Sequence, residues 1–181
     1  MIKELAAKVF AGLVHRKNQK WIQNPINAQN QVFQELLKKG RNTVFGKDHA
    51  FETITEINQF KAKVPVRDYE AFRPYIEDVL NGGRDVLWPG RPLYYAKSSG
   101  TTSGAKFIPI TADSMPQHIR AAREALLNYI KETGTTKMIS GKHIFLQGSP
   151  VLEDKNGVAL GRLSGIVAHY VTADLQNNRK P

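Results

Sequence analysis

Cysteine is absent from the 181-residue chain, which excludes disulfide staples and thiolate-bound zinc and leaves stability to the core. Long apolar runs are missing too: the opening stretch is broken by Lys3, Glu4 and Lys8, well short of the roughly 20 apolar residues a membrane span requires. Both absences point away from a secreted or membrane-inserted protein and fit a reducing cytoplasm. Histidines are few and scattered (His15, His49, His118, His143 and His169), with no pair at the i, i+4 spacing of a helical zinc site, so a histidine-held metal is not expected. The adjacent acids Glu77-Asp78 and Glu153-Asp154 read as surface charges, because neighbouring helix positions diverge and the second pair sits beside a turn. Acid is the minority charge, 16 residues against 26 Lys and Arg, and a net charge of +10 attracts polyanions of any kind. The basic residues are spread along the chain, for example Arg16, Lys17 and Lys20, then Lys38, Lys39 and Arg41, rather than gathered in one run. That distribution suits a solvated basic surface. A basic nucleic-acid-binding module is the alternative class, although no recognition helix or exposed aromatic repeat is evident.

What is present suffices for one globular domain or part of one, with 41% hydrophobic residues. Ile2, Leu5, Ala6, Val9, Phe10, Leu13 and Val14 predict an amphipathic helix with a single buried stripe. Further helices are expected from Asn24-Pro25 to Gly40, from about Thr55 to Lys61, and from an Asp68 N-cap to Gly82-Gly83. Residues 1–83 thus form a helical segment. From about residue 84 strands enter the pattern: Asp85 to Trp88, Pro92 to Lys97, Phe107 to Ile110, His143 to Gln147, and a hairpin turning at Asn156-Gly157. A helix starting at Asp113 or Ser114 carries Met115, Ile119, Ala122, Leu126 and Tyr129 on its apolar face. The mixture predicts an α/β or α+β fold, helices covering a mixed sheet.

The segment KSSGTTSGAKFIPIT, Lys97 to Thr111, is the most unusual. Its nine residues Ser98 to Lys106 hold five hydroxyls, two glycines and one lysine between two apolar strands. Backbone N–H groups, hydroxyls and a cation can together cradle phosphate oxygens, with glycine permitting close approach. A plain flexible connection has the same composition. The spacing is not that of a Walker A loop, since Gly100 and Gly104 enclose three residues and Phe107 follows Lys106. A dinucleotide fingerprint fails as well. GTTSG and GRLSG each miss the nucleophile-elbow pattern by one position, leaving serine hydrolysis without support.

This loop resembles the phosphate-binding signature of the adenylate-forming superfamily, and Val64 to Thr111 is similar to the bacterial branch of the auxin-responsive acyl-acid amido synthetase family. Thr43 to Ile54 and Gly161 to Ile166 share the likeness. Ser98, Ser99, Gly100, Thr101 and Thr102 match without adjustment. That family has one more residue between Gly104 and the lysine, whereas Lys106 keeps the wider superfamily's spacing when counted from Thr102.

The resemblance implies the N-terminal portion of an adenylate-forming domain in a ligase. Such an enzyme uses ATP and Mg²⁺ to activate a carboxylic acid as acyl-AMP, then transfers the acyl group to an amine or amino acid. Phosphate contacts would come from Ser98, Ser99, Gly100, Thr101, Thr102, Gly104 and Lys106. Adenine, ribose and a second lysine are met by later segments in that family, so residues 1–181 alone are expected to be inactive. A truncated homologue serving as an interaction domain is a further alternative. Tyr94 and Tyr95 are expected to pack in the core, and Arg120 and Arg123 to flank a helix.

Overall fold

The computed structural model describes residues 2–98, 104–144, 146–170 and 179–180. Four strands form a sheet in the order β2-β1-β5-β4: β1 Tyr94–Lys97, β2 Phe107–Ile110, β4 Glu153–Lys155 and β5 Val158–Gly161. β1 runs antiparallel to β2 and parallel to β5, and β4 returns antiparallel to β5 through the Asn156-Gly157 turn, both residues having positive φ. The strands β3 His143–Ile144 and β6 Arg179–Lys180 pair separately.

β1 is buried on both faces, which explains why its sequence does not alternate. Tyr95 joins Val79, Val86, Val158 and Leu160 on one face, whereas Ala96 joins Ile110, Met115 and Ile166 on the other. The first face is covered by α5 Tyr69–Leu80, and the second by the start of α6 Met115–Thr133 and by α8 Leu163–Ala168. α5 begins as expected, Asp68 accepting the Ala71 N–H at 2.9 Å. The fold is α/β, with helices on a mixed sheet.

The helical segment comprises α1 Ile2–Ile22, α2 Pro25–Gly40, α3 Val44–Asp48 and α4 Ile57–Lys63, with a 3₁₀ turn at Phe51–Thr53; α7 Lys137–Ser140 follows α6. α1 packs on α6 through Ala7, Ala11 and Val14 against Leu127 and Ile130. Asn18 adds a 3.2 Å hydrogen bond to Glu124.

Four expectations need correction. The face of α1 that meets α6 is the one with small residues, leaving Ile2, Leu5, Val9 and Leu13 exposed, because alanines let two helix backbones approach. α6 buries Leu127 and Ile130 instead of Leu126 and Tyr129, since its first turns face the sheet and its last turns face α1. Asp85 to Trp88 is not a strand. Asp85 sits at φ 55°, its N–H donates to the Gly90 carbonyl, and its carboxylate accepts the Gly90 N–H. The Asp85 and Val86 carbonyls instead accept the first N–H groups of α3, those of Val44 and Phe45, at 2.8 and 3.0 Å. His143 to Gln147 shortens to β3, with Phe145 outside the described residues.

Candidate functional site

The hydroxyl-rich loop connects β1 to β2. Its neck is closed by strand pairing, Lys97 opposite Phe107, and by the Ser98 N–H donating to the Lys106 carbonyl at 2.9 Å. Ser99, Gly100, Thr101 and Thr102 lie outside the described residues, so the described part of the predicted phosphate grip is Ser98, Gly104 and Lys106. Gly104 has φ 85°, a conformation that side-chain-bearing residues rarely adopt, and no atom of the described residues would obstruct a Cβ there. Its glycine is therefore required by backbone angle. The Lys106 ammonium lies 5.4 Å from the centroid of the Tyr69 ring.

Parallel pairing of β1 with β5 sets Ala96 beside Gly161, so the carboxyl ends of both strands deliver their next residues to one place. A cleft of about 200 Å³ opens there, lined by Lys97, Ser98, Glu153, Gly161 and Arg162. The carboxyl edge of parallel strands is where open α/β sheets commonly take ligands. Arg162 lies across Gly148, where a Cβ would come within 2.7 Å of the arginine Cδ, so glycine at 148 leaves room for the arginine stem. The cleft thus presents two cations and the hydroxyls of Ser98 and Ser149 against a single carboxylate, Glu153. Neither Lys97 nor Arg162 was singled out from sequence; the parallel pairing that brings them together links residues far apart in the chain. The available signal was the likeness of Gly161 to Ile166 to the family.

The other candidates fall into structural roles. Tyr95 is fully buried and its hydroxyl donates to the Val79 carbonyl at 2.8 Å. Tyr94, half-buried, accepts a 3.1 Å hydrogen bond from Tyr170. Arg120 stands 3.8 Å from Glu124 one turn along, and Arg123 lies 5.9 Å from the Phe10 ring centroid, so both flank the α1–α6 contact. Among the described residues no three His, Asp or Glu side chains converge as a metal site, and no helix is long and apolar enough to cross a membrane.

The profile of the GH3 family N-terminal domain matches residues 14–178. This chain belongs to the GH3 family. Relatives include a probable indole-3-acetic acid-amido synthetase GH3.2 from Oryza sativa subsp. japonica, 34% identical over 89 residues, which are 48% of this chain and 14% of that protein. An indole-3-acetic acid-amido synthetase GH3.2 from Arabidopsis thaliana is 31% identical over 91 residues, 50% of this chain and 17% of that protein. The solved GH3.15 acyl acid amido synthetase has the same fold, with a TM-score of 0.73 at 24% identity over 87% of this chain and 28% of that one. A second structure, AtGH3.15 in complex with 2,4-DB, gives a TM-score of 0.68 at 23% identity, covering 83% of this chain and 26% of that one. This GH3 chain therefore spans between one seventh and little more than a quarter of these relatives, and corresponds to their N-terminal portion.

Proposed function

We propose that this chain forms the phosphate-binding part of an ATP-dependent acyl-acid amido synthetase. In the complete reaction a carboxylate attacks the α-phosphate of ATP, giving acyl-AMP and pyrophosphate, and an amine or amino acid then displaces AMP to form the amide. The observation that carries this reading is the neck itself: β1 and β2 close on each other through Lys97 opposite Phe107, and Lys97 and Ser98 line a cleft that also holds Arg162. Loop hydroxyls and N–H groups would hold the β- and γ-phosphates and align the α-phosphate, while Lys106 would offset charge on the leaving pyrophosphate. A cleft with two cations and two serine hydroxyls suits such an anion. Magnesium supplies further charge neutralisation when bound. It would arrive on the nucleotide's phosphates, the usual mode for this ion.

Residues 1–181 cover 28% or less of the compared synthetases, so we propose phosphate binding without turnover for these residues alone. Isothermal calorimetry with pyrophosphate and with Mg·ATP tests this. Both ligands should bind weakly and with similar affinity. Thr101→Ala, Thr102→Ala and Lys106→Ala should each weaken pyrophosphate binding, by about tenfold for the lysine, equivalent to ~1.4 kcal/mol. Tight, base-selective ATP binding that ignores all three substitutions would place the nucleotide elsewhere.

A further inference from the structure

Tyr69, the first residue of α5, belongs to neither strand of the loop's neck, yet it touches both things the neck must hold still. Its hydroxyl oxygen accepts the Phe107 N–H at 2.8 Å and lies 3.5 Å from the Phe107 carbonyl oxygen. Phe107 opens β2, the outermost strand in the order β2-β1-β5-β4. An outer strand has one row of backbone groups without a strand partner, and Tyr69 engages that row where the loop ends. The inner side of the neck is closed by Ser98 and Lys106. The loop's C-terminal arm is thus gripped from both sides.

The same ring stands beneath the Lys106 ammonium at 5.4 Å. Such a contact is attractive but weaker than a charge-assisted bond to phosphate, so the cation is kept nearby and can still be surrendered to an anion. Tyr69 is itself fixed. Asp68 caps its helix, Ile76 and Val79 are buried further along α5, and Tyr95 bonds the Val79 carbonyl.

We infer that Tyr69 is a positioning residue of the phosphate site, setting the loop's C-terminal arm through the Phe107 amide and presenting Lys106 through its ring; this rests on the phosphate-binding reading of the loop. Two substitutions separate the contacts. Tyr69→Phe keeps the ring and deletes the hydroxyl, whereas Tyr69→Leu deletes both. Pyrophosphate affinity by calorimetry and Phe107 amide exchange by NMR are to be read on each, with thermal unfolding reporting whether the variants fold.

The expected result is faster Phe107 exchange in both variants, a loss of affinity of roughly threefold in Tyr69→Phe, and about tenfold in Tyr69→Leu. In the Tyr69→Leu/Lys106→Ala double variant the losses should be less than additive, because the two residues act as one unit. A merely structural tyrosine would not couple to Lys106. Parent-like affinity in Tyr69→Leu, or fully additive losses, would overturn the inference while leaving phosphate binding intact provided Lys106→Ala alone still weakens it. If Lys106→Ala changes nothing, the phosphate reading fails and takes this inference with it. Should Tyr69→Leu not fold, Tyr69→Phe and its double variant with Lys106→Ala decide the matter by the same coupling.

Discussion

Tyr95 shows how one hydroxyl is accommodated inside an apolar cluster. Burial raises its phenol above the usual range, with Arg91 acting weakly in the opposite direction, and the proton is used in the bond to Val79. Tyr95→Phe keeps the ring's packing and removes that bond. The Val79 carbonyl retains the Gly82 N–H at 3.1 Å, so the cost should be modest, about 1 kcal/mol in urea unfolding. Tyr170 offers a second test. Its phenol is pushed up to about 12, chiefly by the hydrogen bond it donates to Tyr94 and then by burial. The protonated form is the donor, so this stabilisation is complete below the ordinary tyrosine range near pH ~10 and is lost as pH rises toward 12. In an alkaline ultraviolet titration, Tyr94→Phe should return one phenol to the ordinary range. An unchanged curve would mean that the pair does not hold the proton.

At the level of elements, the start of α5 was legible because its cap is local, whereas Asn24 and Ser114 precede α2 and α6 without a side-chain cap bond. Asp68 meets Ala71 three residues on, and Asp68→Ala should cost about 1 kcal/mol of stability in chemical denaturation. Thr43 does the same for α3, accepting the Gly46 N–H at 3.0 Å while donating to the Gly40 carbonyl at 2.7 Å, and was not recognised as a cap. As it is fully buried, Thr43→Ala should cost at least as much, about 1–2 kcal/mol. β2 and the Asn156-Gly157 turn were also legible, each marked by neighbouring residues. Partner choice was not. Periodicity identified the aliphatic stripe of α1, but α6 chose the alanine side, a decision that depends on how closely two backbones can come. Asp85 to Trp88 looked like a strand by its apolar letters and failed because α3 uses its carbonyls. The candidate site divides the same way: the loop's chemistry lies in consecutive residues, whereas Tyr69 and Arg162 reach it from 37 residues before Lys106 and 56 after it.

For the whole molecule, the excess of basic residues should make pyrophosphate binding weaken steadily between about 50 and 500 mM salt, as screening shortens the reach of surface charge. Any duplex DNA binding should weaken more steeply and should survive Thr101→Ala, Thr102→Ala and Lys106→Ala, since it would draw on dispersed Lys and Arg. Measuring both ligands on the same variants separates the synthetase reading from a nucleic-acid module; loss of DNA binding alone would favour the latter. The centre of the sheet has one more consequence, and it concerns time. β1 lies between β2, which begins ten residues after Lys97, and β5, whose Ala159 comes 65 residues after its partner Tyr94. At roughly 5–20 residues per second, a ribosome makes the second neighbour about 3–13 s after the first strand. Until then Tyr95 lacks Val158 and Leu160, so the nascent chain must carry its central strand half-clothed for several seconds.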